Sequence, residues 1–402
     1  MTLSRQTILR GTALLLLAGL LATPASAEEP EATPGAAGES SEQQLLLEDL
    51  RTFADVFNIV RKHYVDEKAP PVLLEGALKG LMADLDEHSS YLPAPSADRQ
   101  EQQSRGRYGG IGVEVEAREQ RLVITEVFDS GPAYRAGVQT GDLILAIDEL
   151  NVRGRSLPKA MDQLLGPPGS EVIVKLRSGK LPPREVTLVR EQIRVPSVRA
   201  ELLEERIAYL RVTHFHLGTA SEFERALNRL QAEAETPLAG IVMDLRDNPG
   251  GVIRGATRLA DGFLESGLVV YSRGRYPSSQ FQYHAEPGEW APGTPVLVLV
   301  NGGSASASEI LAGALQDHGR ATLIGSRTYG KGTIQSVLQL RNGAAVKLTT
   351  ARYFTPSGRL IDQVGIEPDI TRKGESVLAP GTDWELAEAL EQLAGEAPDR
   401  QR

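Results

Sequence analysis

Two apolar runs, residues 239–245 and 296–300, constrain this 402-residue chain more than any other feature. Each is long enough for a buried strand, and each gives way to a glycine-rich turn and then a helical pattern. Residues 208–212 read as a further strand, and residues 221–232 as an amphipathic helix. Such alternation of strand and helix predicts an α/β core over residues 192–380. Residues 381–402 are expected to form a terminal helix and a loose polar tail.

Ahead of this core, residues 105–191 change pattern. Ile111 to Val115 alternates, as does Arg121 to Val127. Gly141 opens a turn into the apolar run 143–147, and Ser156 is placed to cap a helix ending near Leu165. Residues 171–177 and 185–190 complete a small sheet. The segment reads as a small, partly open β-barrel with helices.

Residues 43–104 are read as helical. Leu46, Leu50, Phe53, Phe57, Val60 and Tyr64 recur at steps of four and three, the seam by which one helix packs against another. That seam serves equally for packing within the domain and for a contact with a second copy or an adaptor protein. Residues 28–42, rich in Glu, Ala, Pro and Gly, are expected to be a flexible leader.

Residues 1–27 have the form of a cleavable export signal. Arg5 and Arg10 give a positive start, residues 12–21 are almost all apolar, and Ala25-Ser26-Ala27 is a small-residue cleavage site. The apolar run is about half of the roughly 20 residues a spanning helix needs. Removing Arg5 and Arg10 makes the formal charge of −10 two units more negative. So acidic a protein is a poor partner for nucleic acid. With no cysteine, disulfides, thiolate nucleophiles and Cys-based zinc sites are excluded.

Three turns carry the chemistry. The first runs from the strand at 296–300 into Asn301-Gly302-Gly303-Ser304-Ala305-Ser306-Ala307-Ser308-Glu309 and then a helix. A serine there sits beside the positive end of a helix, where unpaired N–H groups stabilise an oxyanion. Physical reasoning leaves Ser304, Ser306 and Ser308 open, and a plain run of capping serines explains the same residues. The second turn sets Lys331 between Gly330 and Gly332, with Gln335 four residues on. A lysine in a cramped, dry site loses its charge and acts as a base. The third, Asp244 to Gly251, ends an apolar strand in Gly250-Gly251, whose backbone suits an oxyanion.

In this order, residues 244–251, 304–310 and 330–335 closely resemble the carboxy-terminal processing peptidases (tail-specific proteases, family S41). Gly109-Gly110-Ile111-Gly112 resembles that family's PDZ carboxylate loop, and Leu85 to Tyr91 its lead-in turn, with Glu87 where the family usually has Pro. The resemblance spans residues 50–393. It implies a multidomain α+β protein: an N-terminal helical region, a PDZ-like small β-barrel and an α/β peptidase core of the ClpP/crotonase type. It selects Ser306 as nucleophile, Lys331 as base 25 residues on, and Gln335 as the third member. The N–H groups of Ala307 and of Gly250 or Gly251 become the oxyanion donors. No metal or organic cofactor is implied.

The same resemblance implies an exported serine endopeptidase, periplasmic or envelope-associated, acting on proteins with free C-terminal tails. Gly109, Gly110, Ile111, Gly112 and Val113 are expected to bind the tail by strand addition. A homo-oligomer through the N-terminal helix and an adaptor protein are the expected further partners. Leu165 departs from the family, many of whose members have Arg there; Arg153 and Arg155 are the candidate substitutes. Two rival functions are a non-catalytic PDZ scaffold and another acyl-transfer enzyme such as a thioester hydrolase. His214 and His216, read on one strand face, are expected to be a structural pair rather than metal ligands, and His318 a partner of a helix dipole.

Overall fold

A computed structural model describes residues 36–118, 121–129, 131–152, 157–372 and 383–396. Residues 1–27, expected as an export signal, and Arg153, Arg155 and Ser156 lie outside the described residues. The chain divides into two units, residues 1–74 and 75–402.

In the first unit, α1 (Ala36–His63) begins inside the stretch expected as a leader, where Ala36, Ala37 and Glu39 are strong helix formers. Arg61, Lys62 and His63 complement the dipole at its end. Leu46, Leu50, Phe53, Val60 and Tyr64 of its seam are 38–59% exposed. The second unit opens within α2 (Pro70–Ala83). There follow β1 (Ser90–Leu92), α3 (Ala94–Ser104) and β2 (Arg107–Gly110).

The small barrel is then built from β3 (Val113–Arg118), β4 (Arg121–Val127), α4 (Pro132–Arg135), β5 (Leu143–Ile147), β6 (Leu150–Asn151), α5 (Leu157–Leu164), β7 (Glu171–Arg177) and β8 (Arg184–Val189). Its sheet runs β3-β4-β5-β7-β8, with β6 paired to β5. Alternating inward residues such as Leu122, Ile124, Val172, Val174 and Leu176 close over Ala133, Ala160 and Leu164 of the two helices. The chain enters by β2 and leaves by β9 (Glu191–Arg194), and these two strands pair with each other.

Beyond this lie β10 (Val198–Leu203), β11 (Ile207–Val212), α6 (Thr219–Glu233), β12 (Gly240–Asp244), α7 (Ile253–Asp261), β13 (Gly267–Gly274) and β14 (Gln282–Ala285). Then come β15 (Val296–Val300), α8 (Ala307–Asp317), β16 (Ala321–Gly325), β17 (Thr333–Gln339), β18 (Ala345–Phe354), β19 (Ile370–Thr371) and α9 (Trp384–Glu396). A six-stranded sheet runs β10-β11-β12-β15-β16-β19. It is parallel from β11 onward, with β10 antiparallel at the edge.

Both faces of this sheet are covered, which is why its central strands are apolar throughout. Ile241, Met243, Val298 and Val300 face α6, α7 and α8. Val242, Leu297 and Leu299 face Ala389 and Leu393 of α9. A second sheet runs β1-β18-β13-β14, with β17 on the other edge of β18. The α/β core and the small barrel agree with the sequence reading.

Candidate active site

The strand β15 is buried along its whole length and delivers the chain to residues 301–306 at the start of α8. Ser306 occupies the helix N-cap with φ +56° and ψ −111°. A non-glycine residue in such a conformation costs on the order of 1–3 kcal/mol, so the surroundings must hold it there.

The neighbouring serines supply that hold. The Ser304 hydroxyl donates to the Leu245 carbonyl at 2.8 Å and accepts the Asn301 N–H at 3.0 Å. The Ser308 hydroxyl donates to the Asn248 carbonyl at 2.9 Å. The Ala305 N–H reaches that same carbonyl at 2.9 Å. Two of the three serines left open by physical reading are thus fully buried and bound to the turn after β12. Ser306 alone of the three is partly exposed.

That turn brings Gly250 against the serine. A Cβ on Gly250 would stand 2.7 Å from the Ala305 carbonyl and 2.8 Å from Ser306 Cβ, so only glycine fits. Gly251, at φ +138°, is equally confined by the Phe215 carbonyl. The Asn248 side chain orders the turn. It donates to the Val212 carbonyl at 2.8 Å and accepts the Gly250 N–H at 2.9 Å. Of the two glycines expected as oxyanion donors, Gly250 therefore has its N–H committed to Asn248.

One residue unremarked in the sequence binds the site together. Glu309, fully buried, accepts the N–H of Ser306 at 2.7 Å and of Lys331 at 2.9 Å on one oxygen. Its other oxygen accepts the Gly330 N–H at 2.7 Å and the Thr328 hydroxyl at 2.6 Å. Burial pushes its pKa above the ordinary carboxylate range against the pull of these bonds. The signal was present: an acid three residues after an N-cap serine is a capping-box pattern.

Lys331 stands just before β17. Its flanking glycines allow close approach: a Cβ on Gly332 would meet the Asp362 N at 2.1 Å. Burial lowers the lysine pKa, and repulsion from Lys347 lowers it further, against the attraction of Glu87. Gln335 lies in β17, and its amide nitrogen donates to Thr333 Oγ1 at 2.9 Å and Thr349 Oγ1 at 3.3 Å.

In the barrel, Ile111 and Val113 line a groove of 790 Å³ together with Tyr108, Leu164 and Leu165. Gly112, at φ +81°, turns the chain into β3. Gly109 and Gly110 correct the sequence reading: they belong to β2, paired with Gln192 and Glu191, rather than to an open loop. A Cβ on Gly109 would lie 2.1 Å from the Gly166 carbonyl, so this glycine serves close packing beside α5.

His214 and His216 lie past the end of β11 rather than on it, with ring centroids 5.5 Å apart. His216 is buried, accepts the Gly218 N–H at 2.9 Å and faces Glu222 at 3.6 Å. Among the described residues no group of three or more His, Cys, Asp or Glu is arranged to hold a metal. His318 ends α8 and bonds the Leu268 carbonyl at 2.7 Å.

Comparison with known proteins points the same way. The sequence matches the model of Peptidase family S41 over residues 206–372 and that of the PDZ domain over residues 123–178. It is 40% identical over 333 residues to a carboxy-terminal-processing protease of Bartonella bacilliformis, covering 82% of this chain and 76% of the relative. A carboxyl-terminal-processing protease of Synechocystis sp. is 36% identical over 358 residues, covering 84% and 82%. A solved structure from Bacteroides fragilis assigned to the S41 proteases shares the fold, with TM-score 0.52 at 18% identity, covering 85% of this chain and 97% of that one. With the PDZ domain ahead of an α/β core that holds the serine turn, the chain belongs to the carboxy-terminal-processing proteases of peptidase family S41, which are serine peptidases.

Proposed function

We propose that Ser306, Lys331 and Gln335 form the catalytic centre of an exported endopeptidase that takes hold of protein C-terminal tails. The observation that carries this reading is the doubly anchored carboxylate of Glu309. It ties the backbone of Ser306 and that of Lys331 to a single oxygen, so nucleophile and base come from loops locked together.

The depressed pKa of Lys331 supports a neutral amine able to take the Ser306 hydroxyl proton. The alkoxide attacks the peptide carbonyl, and the proton passes to the leaving amine. The N–H groups of Ala307 and Gly251 receive the oxyanion at the positive end of α8. Water, deprotonated by Lys331, then releases the acyl-enzyme. These steps call on no metal or organic cofactor. The groove between β3 and α5 takes the tail by strand addition, and its apolar walls favour apolar terminal residues.

The test is digestion of a casein substrate by wild type, Ser306→Ala and Lys331→Ala, with melting followed in parallel. Both variants should lose activity and melt no lower than wild type. Full activity in Lys331→Ala contradicts the Ser–Lys reading. Loss of activity in both also separates this function from a non-catalytic scaffold.

The signal-like residues 1–27 support export and a periplasmic or envelope location. The exposed seam of α1 supports a homo-oligomer, with an adaptor protein as the other occupant. Cell fractionation and the solution mass with and without residues 28–63 address both points. A cytoplasmic protein, or a mass unchanged per chain by the deletion, contradicts them.

A further inference from the structure

A peptide bond between two glycines has little of its own to fix which way it faces, because neither neighbour carries a Cβ. The Gly250–Gly251 peptide is such a bond, with φ +100° and +138° at its two residues. Its orientation decides where the Gly251 N–H points. Phe215 sets that orientation. The Phe215 N–H donates to the Gly250 carbonyl at 2.8 Å, and the Phe215 carbonyl accepts the Val252 N–H at 2.8 Å. In a planar trans peptide the N–H points opposite to the carbonyl, so the Gly251 N–H is turned away from Phe215. Gly250 itself lies against the serine turn: a Cβ there would stand 2.8 Å from Ser306 Cβ and 3.0 Å from the Ala307 nitrogen.

Phe215 is followed at once by a tightly bonded turn. His216, buried, donates its N–H to Thr219 Oγ1 at 2.9 Å, and its carbonyl accepts the Thr219 N–H at 3.1 Å. Its Nδ1 accepts the Gly218 N–H at 2.9 Å, which leaves the ring proton on Nε2, on the side of Glu222. The Leu217 N–H donates to the Ser104 carbonyl at 3.0 Å. Thr219, also buried, bonds the Ser197 hydroxyl at 2.9 Å. Glu222 accepts both the N–H and the hydroxyl of Ser197 at 2.8 Å. Two glycines close on the turn. A Cβ on Gly106 would meet the imidazole at 2.7 Å, and one on Gly255 the His216 carbonyl at 2.5 Å. The turn thus stands between the chain entering the barrel, the chain leaving it and the first turn of α7.

We propose that His216 is a positioning residue for the oxyanion: by accepting the Gly218 N–H it closes the 216–219 turn, and the closed turn holds Phe215 where its backbone keeps the Gly251 N–H toward the serine. The proposal rests on the reading of Ser306 as nucleophile and Gly251 as oxyanion donor. The imidazole supplies two things, an acceptor at Nδ1 and bulk against Gly106. The two are separable by substitution. Asparagine places an oxygen where Nδ1 stands, and the bond it makes to the N–H two residues on is an ordinary Asx turn. Leucine fills most of the space and accepts nothing. A side chain acting by packing alone is replaced better by leucine than by asparagine. A side chain acting through the Nδ1 bond shows the reverse order.

The experiment uses the full chain, a free-tailed peptide substrate and a peptide aldehyde that ends at the cleaved residue. The Ser306 hydroxyl adds across the aldehyde C=O, and the hemiacetal oxygen then occupies the place of the oxyanion, so aldehyde affinity reads the donors directly. His216→Leu should lower kcat and aldehyde affinity together, each about ten- to hundredfold, with KM unchanged. His216→Asn should recover most of both losses. His216→Met, with a flexible apolar side chain, takes the place of leucine if that variant melts below the assay temperature. Wild-type kcat in the apolar variant, a loss in His216→Asn as large as in the apolar variant, or a fall in kcat with aldehyde affinity unchanged each overturns the proposal. Failure of the underlying reading shows separately, as activity kept in Ser306→Ala or aldehyde binding that does not need Ser306.

Discussion

Replacing Glu309 by glutamine tests the joint between the serine turn and the lysine loop with the change of one atom. The native carboxylate takes two N–H groups, from Ser306 and Lys331, on one oxygen. The other oxygen takes the Gly330 N–H and the Thr328 hydroxyl. An amide has a single acceptor oxygen, so one side must confront its donors with an NH2 group. The less costly choice turns the NH2 toward Thr328 and Gly330, because a hydroxyl rotates and a backbone N–H does not. Thr328 already accepts the Ile366 N–H at 2.7 Å, and Gly330 is left facing a donor.

One unsatisfied buried N–H costs about 1–3 kcal/mol, and weakening the remaining charge-assisted bonds adds about 1 kcal/mol. At roughly 2–4 °C per kcal/mol for a domain of this size, melting should fall on the order of 10 °C. Where the variant is still folded, displacement of Ser306 relative to Lys331 should lower kcat/KM about ten- to hundredfold. The assay is hydrolysis of a fluorogenic peptide with a free apolar tail, run well below the variant's melting temperature. Wild-type melting and wild-type kcat/KM together would refute the claim that this carboxylate holds the two loops in register.

Activity should rise with pH through a midpoint below the ordinary lysine range, since burial and Lys347 both disfavour the Lys331 ammonium. A profile flat from acid to alkaline pH contradicts Lys331 as base, and Glu87→Gln should move the midpoint to lower pH by removing the opposing charge. Because the folded pKa is depressed, a protonated Lys331 costs stability below that pKa and the cost is relieved as pH rises. Lys331→Met should therefore raise melting more at neutral than at alkaline pH, and an equal gain at both contradicts the linkage. Binding of a peptide tail to the Ser306→Ala protein should weaken roughly ten- to hundredfold when its terminal carboxylate is an amide, a loss of about 1.5–3 kcal/mol; equal binding removes the carboxylate from recognition. Arg246 clamps the fully buried Asp244 at 2.7 Å and Asp383 at 2.6 Å, so Arg246→Met should cost about 3–5 kcal/mol in urea melts and loosen α9, and a neutral result contradicts that pinning.

Much of the site was legible along the chain. The apolar run at 296–300, the small-residue turn and the helix after it are local patterns, and β15, the turn and α8 follow them closely. The glycines beside Lys331 announced close backbone approach, and Gly332 indeed packs on Asp362. Gly109 and Gly110 misled for a related reason: a glycine pair signals either an open turn or tight packing, and the distant partners Gln192 and Gly166 decide which.

The amino-acid sequence by itself determined the central strands at 208–212, 239–245 and 296–300, the helices that follow them, the order of the small barrel and the α/β core, and the three turns of the candidate site. Those depend on side-chain spacing and on backbone preferences over a few residues, both written along the chain. Only the tertiary structure decided which serine is left exposed. Ser304 and Ser308 are taken by carbonyls 59 and 60 residues away, and Ser306 is held at a conformation no local preference favours. It likewise decided that Glu309 serves Lys331, 22 residues on, and that a bulge sets Thr349 rather than Thr350 against Gln335. Contacts between distant segments form only when packing the whole core offsets the chain entropy lost in closing the loops between them, so no stretch of sequence contains them.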